Sequence, residues 1–137
     1  MTAERIHRGL VLVVDDDADA QFIYPVALEH AGYDVRLAVN GAEALEAIAG
    51  EPPNVVVLDF AMPKLSGPDV FARLRADPAT RKIPVIACTA VAVEADVAGL
   101  RAQGYADVLL KPVDPAVLVA AVERACLRSI DLGQASR

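Results

Sequence analysis

Five times along the chain, a short run of β-branched and aliphatic residues gives way to a longer stretch with helical spacing. The joins between them are only a few residues long. The strand candidates are LVLVV (10–14), DVRLAV (34–39), VVVLD (55–59), PVIACTA (84–90) and DVLLK (107–111). Helix candidates at 19–30, 42–49, 68–76, 94–103 and 115–128 complete the alternation. Strands joined through helices run parallel, and such crossovers are right-handed within one sheet. The pattern therefore predicts a single α/β domain, a doubly wound parallel five-stranded sheet with helices on both faces. The first, third and fourth runs are almost continuously apolar, as central strands covered on both sides should be.

Local punctuation agrees. Gly32, Gly50 and Gly104 stand where helices should stop, and Pro115 opens the last helix at its first turn, where a missing N–H is harmless. Pro25 breaks the pattern, because inside a helix it removes a hydrogen bond and crowds the preceding turn. A kink there, or a helix regular only after Pro25, is expected. Residues 1–9 read as an arm, 10–128 as the domain and 129–137 as a tail.

Of the 137 residues 55% are hydrophobic, enough for a full core, and with no Trp that core must come from Val, Leu, Ile and Ala. A net charge of −6 without a basic run argues against direct contact with nucleic acid and favours a cation or a basic protein surface. No apolar run is long enough to span a bilayer, and the N-terminus lacks a signal-peptide pattern, so a cytoplasmic protein free of the membrane is expected. Cys88 and Cys126 lie in apolar surroundings and match no zinc spacing; they read as small buried hydrophobes. The last helix is apolar around much of its circumference, which suits deep packing or the face of a weak dimer.

The chemistry lies at the strand ends. Asp15 and Asp16 close the first strand and Asp59 the third. In an open sheet of order 2-1-3-4-5 these strands are neighbours, and ligands bind outside their carboxyl ends. Each feature has a plain reading alone: acids before a helix cap it, and a strand-end Asp is common. Together they present an energetic problem, since two carboxylates about 5 Å apart repel by roughly 3 kcal/mol at an effective dielectric near 20. A hard divalent cation removes that strain, and Mg²⁺ does so while keeping waters for a phosphate group. Thr89 closes the fourth strand and Lys111, followed by Pro112, the fifth. A hydroxyl and a mobile ammonium suit phosphoryl oxygens, although Thr is also an ordinary strand former and Lys an ordinary solvated charge.

The motifs VVDDD, LDFAMPKLSG (with Pro63 and Gly67 in register), CTA and LLKP resemble those of the receiver domains of two-component response regulators over residues 10 to about 128. The resemblance implies a flavodoxin-like (βα)5 fold with Asp59 as phospho-acceptor, fed by a sensor histidine kinase or a phosphotransfer protein. It implies Mg²⁺ ligated by Asp16, Asp59 and the Ala61 carbonyl, with Asp15 assisting through water. Thr89 and Lys111 would bind the phosphoryl oxygens, and a cis Lys111–Pro112 bond would fix their loop. The protein would be a switch rather than an enzyme, altering a surface that a downstream protein reads. Three residues before the lysine such domains usually carry Tyr or Phe; here stands Val108, with Tyr105 out of register. The readout is therefore expected in backbone and loop shifts between Thr89 and the last helix. Ala61 and Val91 offer no side-chain help to a water attacking the phosphoryl group.

Two other readings address parts of the same pattern. A haloacid-dehalogenase-like phosphatase would use Asp15 as nucleophile and Asp17 as acid, but Asp19 stands where that motif needs Thr or Val, and no cap domain has room. A docking module indifferent to phosphate would suit the missing aromatic. A Rossmann-type nucleotide site is disfavoured because no G-x-G-x-x-G follows the first strand.

Overall fold

In a computed structural model, which describes residues 8–62, 64–90 and 94–135, the five runs form one parallel sheet. The strands are β1 (Leu10–Val14), β2 (Asp34–Ala38), β3 (Val55–Asp59), β4 (Val85–Thr89) and β5 (Asp107–Leu110), and their order is β2-β1-β3-β4-β5. The three continuously apolar runs are the three central strands, as expected. The helices are α1 (Ala18–His30), α2 (Gly41–Gly50), α3 (Gly67–Ala76), α4 (Glu94–Gln103) and α5 (Pro115–Ala135). Pro63, Val91 and most of the N-terminal arm lie outside the described residues.

Strand alternation sorts the core into two layers. Val11, Val13, Val55, Val57, Ile86, Cys88 and Leu109 face one side, where Leu28 of α1 and Leu118, Ala121 and Val122 of α5 cover them. Leu12, Val14, Val56, Leu58, Val85 and Ala87 face the other, under Ala44 and Ile48 of α2 and Val70, Phe71 and Leu74 of α3. Truncating a fully buried Leu in such a layer removes about 2–5 kcal/mol. Burial thus accounts for one face of α5, while Val117 and Leu127 remain exposed on the other.

Helix α1 starts earlier than its spacing suggests. Asp17 caps it, its carboxylate accepting from the Ala20 N–H at 3.1 Å, so regular turns form well before Pro25. Ala20, Tyr24 and Leu28, four residues apart, bury one stripe and hold the helix through the proline. At its end Gly32 has φ of 103°, the Gly32 N–H reaches the Glu29 carbonyl and the Tyr33 N–H reaches that of Leu28. This paired closure needs a residue free to adopt positive φ. The last helix continues past Arg128 to Ala135, into the segment read as a tail.

Candidate functional site

The carboxyl ends of β1 and β3 lie side by side, since Val14 pairs with Leu58. The residues that follow each strand therefore emerge into one crevice. By alternation Asp15 follows Val11 and Val13, and Asp59 follows Val55 and Val57, so both carboxylates stand on the α1/α5 side of the sheet. Both are almost wholly buried, at 2% and 3% exposure, whereas Asp16 is exposed. Carboxylate oxygens of Asp15, Asp16 and Asp59 lie within 4.8 Å of one another.

Lys111 joins them from β5. Its Nζ lies 3.0 Å from Asp15 Oδ2 and 3.1 Å from Asp59 Oδ1. The Lys111 N–H donates to the Thr89 carbonyl at 2.8 Å, which ties the lysine loop to the end of β4. Thr89 itself follows Cys88, the register partner of Asp59. The Lys111–Pro112 peptide is cis, as the resemblance implied. Acids from two strand ends and lysine from a third thus meet, with the end of β4 tied beside them through the Thr89 carbonyl. Ala61 meets Asp59 through its backbone, its N–H donating to Asp59 Oδ1 at 3.2 Å.

The electrostatics follow from burial. Loss of solvent pushes the Asp59 carboxyl above its ordinary value, with Asp15 adding to the effect and Lys111 opposing it. Burial works to lower the Lys111 ammonium, but its hydrogen bonds to Asp15 and Asp59 outweigh that and hold it above its ordinary range. One ammonium against three carboxylates leaves an excess of negative charge at the rim. An all-oxygen donor set with such an excess suits a hard divalent cation.

Several neighbours were not anticipated from the sequence. Gln21 donates its side-chain amide to the Asp15 carbonyl at 2.8 Å, and the Asp17 N–H donates to Asp15 Oδ1 at 2.9 Å. Gly67 lies against the chain after Asp59; a Cβ there would stand 2.6 Å from the Asp59 carbonyl oxygen and 2.9 Å from Phe60 Cα. Tyr24 belongs to the buried layer on the α1/α5 side of the sheet. Val108 is half-buried, and the aromatic group nearby is Tyr105, stacked on Phe71 at 3.8 Å and edge-on to Phe60 at 5.4 Å. Asp17 is engaged as the cap of α1, which removes the acid that the phosphatase reading requires.

Cys88 is buried and its thiol is pushed up to about 12 by desolvation, so it is a core group rather than a nucleophile. Cys126 is only half-buried and is likewise a free thiol. No helix among the described residues is long and apolar enough to cross a membrane.

The model of the response regulator receiver domain family matches residues 11–123. An uncharacterized 14.6 kDa protein of the sodA1 3′ region of Leptolyngbya boryana is 40% identical over 117 residues, which are 85% of this chain and 89% of that protein. The DNA-binding dual master transcriptional regulator RpaA of Synechocystis is 37% identical over 121 residues. Those residues are 88% of this chain and 50% of the relative, so the chain spans about half the length of that regulator. Because that relative is named for DNA binding, family membership does not by itself set nucleic acid aside. The receiver domain of the Francisella response regulator 1452 superposes with a TM-score of 0.80 at 33% identity, covering 88% of this chain and 98% of that one. The chain therefore belongs to the response regulator receiver family of two-component signalling, whose members are phospho-acceptor switches that meet histidine kinases or phosphotransfer proteins, and not enzymes.

Proposed function

We propose that this protein accepts a phosphoryl group on Asp59 from the phosphohistidine of a sensor kinase or phosphotransfer protein. The observation that carries the reading is Asp59 itself, a buried carboxylate 3.1 Å from an ammonium and crowded by two further acids. Asp59 attacks phosphorus, a new O–P bond forms as the N–P bond breaks, and the electron pair returns to the imidazole of the donor. Lys111 and the Thr89 hydroxyl take the equatorial oxygens, where charge gathers in the transition state. Mg²⁺, which Asp16, Asp59 and the Ala61 carbonyl would hold with Asp15 assisting through water, would neutralise the acids and the incoming phosphate. The aspartyl phosphate then draws Thr89 and Lys111 toward itself, and the β4–α4 and β5–α5 connections shift with them.

Output from this region is read as running through a protein contact, in keeping with the net charge of −6 and the lack of a basic run. Incubation with Mg²⁺ and acetyl phosphate, followed by intact-mass measurement, tests the proposal. The wild type should gain one phosphoryl group, and neither Asp59→Asn nor wild type in excess EDTA should gain any. A gain on Asp59→Asn equal to wild type rejects the assignment.

A further inference from the structure

Asp16 offers an exposed carboxylate to the acidic cluster, whereas Asp15 and Asp59 are buried. An exposed side chain has no packing to hold it, so its direction must be set by its backbone. Two peptide groups flank Asp16, and each is a rigid plane. The first carries the Asp15 carbonyl, which accepts from the Gln21 side-chain amide at 2.8 Å. The second carries the Asp17 N–H, which donates to Asp15 Oδ1 at 2.9 Å. With both planes held, φ and ψ of Asp16 are fixed, and so is the direction in which its Cβ leaves the chain.

The two anchors differ in origin. One is Asp15 itself, whose N–H donates to the Ala38 carbonyl at 3.1 Å and whose Oδ2 meets Lys111 Nζ at 3.0 Å. The other is Gln21, half-buried in the first turn of α1. Its N–H donates to the Asp17 carbonyl at 3.0 Å, and the Asp17 carboxylate caps the same turn through the Ala20 N–H at 3.1 Å. The amide therefore reaches back from a fixed helical turn to the peptide that leads into Asp16. The phosphotransfer scheme gives it no task. A neutral donor suits this place: an ammonium or guanidinium would bring positive charge to the rim and oppose a divalent cation, and a carboxylate has no hydrogen to give.

We propose that Gln21 is a positioning residue for the divalent-cation site, its amide holding the Asp15–Asp16 peptide so that the Asp16 carboxylate is aimed before the cation arrives. Outer hydrogen bonds of this kind orient the ligands of metal sites. They raise affinity because the ligand is ordered on folding rather than on binding. The inference rests on the reading of Asp15, Asp16 and Asp59 as a Mg²⁺ site.

The test compares wild type with Gln21→Met, which keeps the length and loses the donor, and Gln21→Asn, which keeps the amide one methylene short. Mg²⁺ is titrated into each protein and followed by ¹H–¹⁵N NMR. Both substitutions should raise the Mg²⁺ dissociation constant about three- to tenfold, the loss expected for one hydrogen bond. In EDTA the heteronuclear NOE of the Asp16 amide should fall in both, while the amide shifts of β3, β4 and β5 keep their wild-type values. A wild-type dissociation constant in either variant, an Asp16 amide as rigid as in wild type, or shift changes spread through those strands overturns the role of Gln21 and leaves the Mg²⁺ site standing. A wild type that takes up no Mg²⁺ overturns both.

Discussion

Asp59 and Asp15 share one lysine, so changes at these three positions should have unlike effects on stability. Lys111→Met leaves two facing, buried carboxylates without their cation. Breaking such a pair from one side should destabilise the protein by about 3 kcal/mol in EDTA, measured by urea unfolding, with Mg²⁺ restoring part of it. Asp59→Asn should do the opposite. Burial raises the Asp59 carboxyl in the folded state, so this group favours folding while protonated and loses that contribution as pH rises through its folded-state pKa. In EDTA the melting temperature of Asp59→Asn should therefore exceed that of wild type by a margin that widens from acid toward neutral pH. Each kcal/mol corresponds to roughly 3–5 °C for a domain of this size. A margin independent of pH contradicts the electrostatic account.

At the scale of elements, two glycines separate close packing from helix propensity. Gly67 opens α3 where the chain doubles back onto the Asp59–Phe60 backbone. Gly67→Ala should destabilise by about 2 kcal/mol or more in chemical denaturation, because backbone atoms have no room to yield. It should also slow phosphorylation by displacing the segment that carries Ala61. Gly99 lies inside α4 with nothing within 4 Å of a built Cβ, so Gly99→Ala should stabilise by roughly 0.5–1 kcal/mol. Helix stops were legible because Gly32 and Gly104 act locally, each closing its own helix with positive φ. The steric role of Gly67 was not, since it depends on a neighbour brought by the β3–α3 connection. The start of α1 was misplaced because Asp17 serves as its cap, which consecutive acids in a sequence do not distinguish from ligands. The end of α5 was misplaced because Ser129, Asp131 and Gly133 interrupt the apolar spacing, yet the helix continues.

Across the whole molecule, the period-two alternation of the strands that builds the core also builds the site. It sends Asp15 and Asp59 to the same face, and parallel order puts their strands next to each other. That is why the acids and Lys111 were legible as neighbours from strand ends alone. If the acidic rim takes up Mg²⁺, a cation at about a hundred times its dissociation constant should stabilise the fold by about 2.7 kcal/mol in thermal unfolding. Asp16→Ala should lose most of that response, as an exposed ligand whose removal leaves the core intact. Borohydride reduces an acyl phosphate to the alcohol and so converts the modified aspartate to homoserine, which peptide mass spectrometry then locates. After reaction with acetyl phosphate and Mg²⁺, homoserine should appear at position 59 alone; homoserine at 15, 16 or 17, with Asp59 intact, would rule out Asp59 as the phosphorylated residue.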